Sequence, residues 1–108
     1  MAATASPSNE RASQSIIDRA AGMLRAAGDA SRLRILELLL SGERQVSEIA
    51  ATTEAEMSTT SQRLRILLSE DLVKRRRDGR DMYYRLADGH VEDLVRNVIE
   101  HADPANEH

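Results

Sequence analysis

The segment that decides the fold is Met57–Leu86, which reads MSTTSQRLRILLSEDLVKRRRDGRDMYYRL. Its first half places Leu64, Leu67 and Leu68 on one side of a helix, which is the spacing of a buried helical face. Its second half contains two strand-like runs on either side of Asp78–Asp81 (DGRD), and Asp-Gly between such runs is a strong hairpin signal. The segment therefore predicts a helix followed by a β-hairpin.

Three more helices are predicted before this segment. The first begins near Ser15, and the second begins at Asp29 or Ser31 and ends at Gly42. The third is short and is capped by Ser47. Two short helices with a tight turn between them, followed by a hairpin, are typical of a winged helix-turn-helix. The predicted fold class is mainly α with a β-hairpin: five helices plus a two-stranded wing.

The fifth helix begins after Asp88 and stops near Pro104. Its apolar residues recur at i, i+3, i+4, i+7, i+8 and i+11, which predicts an amphipathic helix; they are Val91, Leu94, Val95, Val98, Ile99 and Ala102. His90 and His101 lie on one face of this helix, about 16 Å apart along its axis. Metal–nitrogen bonds are only about 2 Å long, so one ion cannot join both histidines of one chain. They can share a site only if a second copy of the helix runs antiparallel beside the first.

Asp88 stands two residues before His90 and could add a carboxylate oxygen to such a site. Its residue type equally favours a helix cap, and both roles can hold together because capping uses one oxygen. Each histidine alone would more often be an ordinary surface or interface residue than a ligand. Nitrogen and oxygen donors without sulfur suit zinc, nickel or cobalt rather than copper(I).

The composition indicates one small domain of 108 residues, with no Phe, no Trp and no Cys. Disulfides, thiolate metal sites and thiol redox sensing are therefore excluded. We expect a disordered tail over residues 1–14, a folded domain over 15–103 and a C-terminal tail over 104–108. No apolar run approaches the roughly 20 residues that span a membrane, and no secretory signal is visible, so we expect a cytoplasmic protein without membrane contact.

The net charge of −3 hides a strongly polarised distribution. Met57–Leu86 contains eight Arg and Lys against four Asp and Glu, a net charge of +4, so the rest of the chain sums to −7. Such a local excess is the electrostatic footprint of a phosphate-binding surface. The candidate DNA-binding residues are Ser58, Thr59, Ser61, Gln62, Arg63, Arg65, Arg75, Arg77 and Arg80. No constellation typical of a catalytic site appears, and we expect no enzyme activity.

Four motifs carry a family resemblance: residues 30–36 (ASRLRIL), 46–50 (VSEIA), 61–67 (SQRLRIL) and 79–86 (GRDMYYRL). Together they resemble the ArsR/SmtB family of bacterial metalloregulators over roughly residues 20–102. The resemblance implies a homodimer joined by the first and last helices, bound to an inverted repeat of double-stranded operator DNA. It also implies a repressor of metal efflux or resistance genes that is released by metal between the C-terminal helices.

The chain departs from the family pattern at several positions. The recognition helix has Thr60 in place of an apolar residue, Arg63 in place of histidine and Glu56 in place of a serine cap. The family's cysteine motif is absent, which excludes arsenite, cadmium or lead sensing at thiolates. The altered recognition helix and the missing cysteine motif leave the operator sequence and the effector metal undetermined.

The family's C-terminal metal motif matches Asp88, His90 and His101, but its fourth ligand position falls on Pro104. The replacements that remain open are Asp103, Glu107, His108, the N-terminal amine or water. The resemblance implies Ni(II) or Zn(II), with Co(II) as a third metal, and it leaves open whether metal releases or promotes DNA binding.

Two other functions also fit the sequence. One is a metal-independent or partner-controlled winged-helix regulator with a degenerate metal site. The other is a dimeric protein-interaction module without a DNA role, whose activity would not change when Gln62 and Arg63 are replaced by Ala.

Overall fold

The computed structural model describes residues 10–106, and within them it contains five α-helices, three β-strands and one 3₁₀ turn. The helices are α1 (Gln14–Ala27), α2 (Ala30–Leu39), α3 (Val46–Thr52), α4 (Met57–Ser69) and α5 (Gly89–Ala102). The strands are β1 (Arg44–Gln45), β2 (Val73–Asp78) and β3 (Asp81–Leu86). Pro104–Asn106 forms the 3₁₀ turn. Most of the predicted N-terminal tail, residues 1–9, and the candidate ligands Glu107 and His108 lie outside the described residues.

Three of the helices begin with a side-chain cap of the expected chemistry. Ser13, Asp29 and Asp88 each accept a hydrogen bond from the backbone N–H three residues later, which satisfies one free donor of the first turn. The predicted cap at Ser47 is wrong. Gln45 is the cap residue of α3 and makes no side-chain cap bond, because the chain passes directly from strand β1 into the helix. Ser47 therefore already lies in the first turn of α3.

The wing is larger than the predicted two-stranded hairpin. The strand order is β1-β3-β2, all antiparallel, so β1 adds a third strand at the base of the hairpin. Gly79 and Arg80 form the turn between the paired residues Asp78 and Asp81. Gly79 has a φ of +64° and Arg80 does not have a positive φ, which is the pattern of a type II′ turn. Glycine at the first central position thus favours tight closure of the hairpin.

The core lies between the helices and the inner face of the sheet. Its fully buried large side chains include Ile35, Leu36, Ile49, Leu64, Leu67 and Leu72. Val91 and Val95 of α5 and Tyr84 of β3 complete it. Each such side chain contributes roughly 1.5–3 kcal/mol on burial, so together they fix α4 and the wing to one body. No helix within residues 10–106 is long and apolar enough to cross a bilayer.

Candidate nucleic-acid interface and metal site

Helix α4 presents a polar stripe on the side opposite its buried face. Thr60, Leu64 and Leu67 are buried against the core. The exposed candidates recur at i, i+3, i+4 and i+7, so they share one face of the helix; they are Ser58, Ser61, Gln62 and Arg65. Thr59 and Arg63 are half-buried at the side of the stripe. The stripe is a row of hydrogen-bonding groups of the kind that read base edges and phosphates.

A groove runs between the start of α4 and the tip of the wing. It is lined by Gln45, Val46, Ser47, Met57, Ser61, Arg80, Asp81 and Met82. Ser61 from the helix and Arg80 from the wing turn therefore border the same depression, as the winged-helix prediction requires. Ser47 and Gln45 were not among the predicted contact residues. Gln45 ends β1 and Ser47 lies in the first turn of α3, so the junction of these two elements brings both to the groove. The two-residue strand β1 has no periodicity in the sequence.

The wing arginines divide between the two faces of the sheet. Arg75 pairs with Tyr84 and Arg77 with Met82, so both share the face of buried Val73. All three candidate wing arginines are exposed: Arg75, Arg77 and Arg80. Within residues 10–106 no ion pair engages any of the five predicted DNA-binding arginines, which are Arg63, Arg65, Arg75, Arg77 and Arg80. Their charges are therefore available to an external polyanion.

One polar atom beneath the stripe lacks a partner. Thr60 is completely buried, and its hydroxyl makes no hydrogen bond within the described chain. An unpaired buried hydroxyl costs roughly 1–3 kcal/mol, which an apolar residue of similar shape would not incur. Thr60 is thus a local weakness of the helix.

At the other end of the molecule, Asp88 and His90 lie at the start of α5. Asp88 Oδ1 accepts a hydrogen bond of 3.1 Å from the Val91 N–H and lies 3.7 Å from His90 Nδ1. The Val91 hydrogen bond, followed by the neighbouring His90, lowers the pKa of Asp88 below its ordinary value of 3.8. The His90 side chain is 99% exposed. Asp88 therefore caps the helix and still keeps its second oxygen free of any hydrogen bond to residues 10–106.

His101 lies at the opposite end of α5. It is exposed and borders a shallow groove with Asn97, Val98 and Ala102. Within residues 10–106, no three His, Asp or Glu side chains come together closely enough to hold a metal ion. The candidate fourth ligand Asp103 uses both carboxylate oxygens in the 3₁₀ turn, accepting from Ala105 N–H and the Asn106 amide. Among the described residues, Asp88, His90 and His101 could thus share one ion only if a second chain brings its own His101 to His90.

An open apolar surface connects α1 and α5. Four of the six exposed large apolar side chains in the described chain lie on these two helices: Ile16, Ile17, Leu24 and Val98. Leu24 and Val98 also border an apolar groove that is floored by Leu36, Leu72 and Val95. Apolar surface of this kind marks a contact face. It lies beside His101 and is the face that the predicted dimer would cover.

Comparison with known proteins identifies the family. The profile of bacterial regulatory proteins of the arsR family matches residues 29–75, from the cap of α2 into β2. A cadmium resistance transcriptional regulatory protein CadC homologue of Staphylococcus aureus is 35% identical over 82 residues, which are 75% of this chain and 68% of the relative. The chain belongs to the ArsR family. The predicted family and winged-helix fold are confirmed.

Two further ArsR relatives bear on the fold and the dimer. A transcriptional repressor SmtB homologue of Synechocystis is 47% identical over 76 residues, 70% of this chain and 58% of that protein. This chain therefore spans little more than half of the repressor's length. A solution structure of a homodimeric winged helix-turn-helix DNA-binding domain from Mycobacterium bovis superposes with a TM-score of 0.81. It is 35% identical, and the match covers 97% of this chain and 93% of that one.

Proposed function

We propose that this ArsR-family chain is a homodimeric transcriptional repressor whose operator binding is controlled by Ni(II) or Zn(II) between its paired α5 helices. The observation that carries the DNA-binding part is the common groove of α4 and the wing. Its borders combine Ser61 of the polar stripe with Arg80 of the wing turn, and Arg80 has no acidic partner in residues 10–106. The named functions of the Synechocystis repressor and the Mycobacterium bovis domain support the same assignment.

In this proposal α4 enters the major groove and the wing contacts the adjacent backbone. Gln62 is the best candidate for a base contact, because it is exposed in the middle of the stripe and its amide can bond adenine bidentately. The arginines neutralise phosphates and supply most of the sequence-independent affinity. A dimer would place two α4 helices in successive major grooves, about 34 Å apart, which matches an inverted repeat.

The DNA function is tested by selecting bound duplexes from a random pool and then measuring their affinities. Gln62→Ala is expected to weaken binding to the selected duplex by about 1–3 kcal/mol and to relax the preference at one base pair per half-site. Asn97→Ala, an exposed polar residue on α5, is the matched control and should leave the selected sequence unchanged. Failure to enrich any inverted repeat would contradict the proposal.

The metal part rests on the donors of α5 and on the adjacent apolar face. His90 and Asp88 at one end of α5 would meet the partner's copy of His101 if the two helices pair antiparallel across Leu24 and Val98. A divalent ion bound there would supply bonds that hold the two helices at a fixed spacing. The named cadmium-resistance function of the Staphylococcus aureus relative supports a metal effector, and the absence of cysteine in this chain favours nitrogen and oxygen donors instead.

The coupling runs from α5 through the core to α4. Val91 and Val95 of α5 are buried in the cluster that contains Leu64 and Leu67 of α4. A change in the spacing of the α5 helices therefore alters the separation of the two α4 helices. Such coupling is typically worth about 1–3 kcal/mol and must be reciprocal, so bound DNA should weaken metal binding by the same factor. Equal metal affinities with and without DNA would exclude this control.

The metal site is tested by calorimetric titration of the metal-free protein with Ni(II) and, separately, with Zn(II). We expect one ion per chain, lost in both His90→Ala and His101→Ala. Glu92→Ala is the control, since Glu92 is an exposed acid in the first turn of α5 that the proposed site does not use. If His90→Ala still binds Ni(II) or Zn(II) tightly, the ion binds at another site.

One observation favours a second candidate, a metal-independent repressor. Pro104 occupies the fourth ligand position, and both oxygens of Asp103 are engaged in the 3₁₀ turn. That candidate predicts DNA binding that neither a chelator nor added Ni(II) or Zn(II) changes. DNA affinity measured with a chelator and with added Ni(II) or Zn(II) therefore decides between the two.

A further inference from the structure

Arg76 differs from every other arginine of the wing. Its Nη2 lies 2.7 Å from Glu43 Oε1, and its Nε lies 2.9 Å from Oε2 and 3.1 Å from Oε1. Its guanidinium also stacks over Tyr83, 4.6 Å from the ring centroid. Bidentate Arg–carboxylate pairs are the strongest exposed ion pairs, and aromatic stacking adds a cation–π contribution. Arg76 is therefore held by two side chains at once, the Glu43 carboxylate and the Tyr83 ring.

Glu43 is itself well placed to hold a partner. It follows Gly42, whose φ of +126° turns the chain from α2 toward β1. The Arg44 side chain donates to Ser41 Oγ at 2.9 Å and to the Glu43 carbonyl at 3.2 Å, which fixes the backbone on both sides. The hydrogen bonds from Arg76, and then the charges of Arg76 and Arg85, lower the pKa of Glu43, so this carboxylate is ionised at neutral pH.

The Glu43–Arg76 ion pair lies where the three-stranded part of the wing ends. Within residues 10–106, strand β1 pairs only with Tyr84 and Tyr83, and Tyr83 pairs with Arg76 on its other side. The Tyr83–Arg76 pair is thus the last three-stranded rung of the wing. From Arg77 to Met82 the wing is a two-stranded ribbon, and such a ribbon is marginally stable by itself. Glu43 lies on the body, so its bond to Arg76 joins the body to the base of this ribbon.

We infer that Arg76 is a positioning residue, which orients the DNA-facing tip of the wing through Glu43 and Tyr83 and does not contact phosphate. The inference rests on the proposed DNA-binding function, and it separates one arginine of the RRR run from its two neighbours. Arg75 and Arg77 lie on the opposite face of β2 and have no acidic partner within residues 10–106. Glu43 already neutralises Arg76, so Arg76 should release no counterion when DNA binds.

The first test is the salt dependence of binding to a short random-sequence duplex. Arg77→Gln is expected to reduce the slope of log affinity against log salt by about 0.9, the value for one phosphate contact. Arg76→Gln is expected to weaken binding by at most about fivefold, the range of an exposed ion pair, with the slope unchanged. If Arg76→Gln lowers the slope as much as Arg77→Gln, Arg76 contacts phosphate and the inference is wrong.

The second test is hydrogen exchange of the backbone amides from Arg77 to Met82 in the free protein. Arg76→Gln and Glu43→Gln should both accelerate exchange there, while Arg77→Gln should not. The charge-swapped double variant Glu43→Arg/Arg76→Glu should recover slow exchange, which a merely disruptive substitution would not. Unchanged exchange in Arg76→Gln would refute the positioning role even if the protein binds DNA. An unaltered protein that binds no duplex would instead refute the proposed function, whatever the exchange result.

Discussion

The wing end and the α5 end of this molecule differ in how much of each is complete in one chain. At the wing end, α4 and the turn of the hairpin border one groove, and Glu43 and Arg76 of the same chain join the body to the sheet. At the α5 end, apolar side chains such as Leu24 and Val98 are about half exposed. Within residues 10–106, neither this apolar face nor the histidines of α5 have a partner surface, and a second copy could supply one.

This difference shows which functional features one chain can form alone and which need two chains. A phosphate-binding surface needs charges of one sign on one side, and a single chain can provide them. A metal site needs several donors within about 2 Å of one ion, and a helix with its donors at both ends cannot provide them alone. The proposed control at α5 would therefore require the dimer, while the proposed local contacts with DNA would require only one chain.

The largest expected effect comes from removing the partner. Leu24→Glu would bury a charge in the dimer contact, which costs several kcal/mol, so we expect a monomer in sedimentation velocity. Affinity for a two-half-site operator should then fall by about 10²–10⁴, because the two half-sites are no longer bound by a linked pair. Ile66→Glu, at an exposed apolar residue of α4, should remain dimeric. A dimeric Leu24→Glu protein would show that the partner covers another face.

Most of the fold could be predicted from the sequence because its signals are local. The leucine spacing of α4 and the Asp-Gly turn of the wing lie within a few residues, and both are confirmed. Strand β1 could not be predicted, since two residues have no periodicity and their pairing with Tyr83 and Tyr84 is distant in the chain. The wrong cap at Ser47 has the same origin, because β1 occupies the residues before α3.

The candidate sites divide in the same way. The sequence located the basic wing, but it could not show which arginine of the RRR run is neutralised. Glu43 is 33 residues away from Arg76, and only the folded chain brings them together. The spacing of His90 and His101 could likewise predict one helical face, whereas the partner that would unite them is not encoded in any local pattern.

A smaller effect, on stability, is expected at the wing end, where the buried Thr60 hydroxyl has no hydrogen-bond partner within residues 10–106. Thr60→Val removes the unpaired buried hydroxyl and should raise the free energy of unfolding by about 1 kcal/mol in urea titration. Thr53→Val is the matched control, because the Thr53 hydroxyl donates to the Ile49 carbonyl at 2.8 Å. The same substitution should cost about 1 kcal/mol there. Protein concentration must be equal throughout, since the stability of a dimer depends on it. Destabilisation by Thr60→Val would mean that a water molecule satisfies the hydroxyl.

The smallest effect concerns Asp88, which has a structural role complete in one chain and a proposed ligand role that needs two. Asparagine caps helices as well as aspartate does, so Asp88→Asn should keep the bond from the Val91 N–H and leave stability unchanged, while Asp88→Ala should cost about 1 kcal/mol. Both variants remove the carboxylate, so both should weaken Ni(II) and Zn(II) binding in calorimetry. Asp29→Asn, the equivalent change at the cap of α2, should alter neither stability nor metal binding.

If Asp88→Asn binds metal like the unaltered protein, Asp88 caps the helix and is not a metal ligand. If Asp88→Asn loses metal binding while its stability is unchanged, the Asp88 carboxylate has both roles: one oxygen caps α5 and the other binds the metal in the dimer.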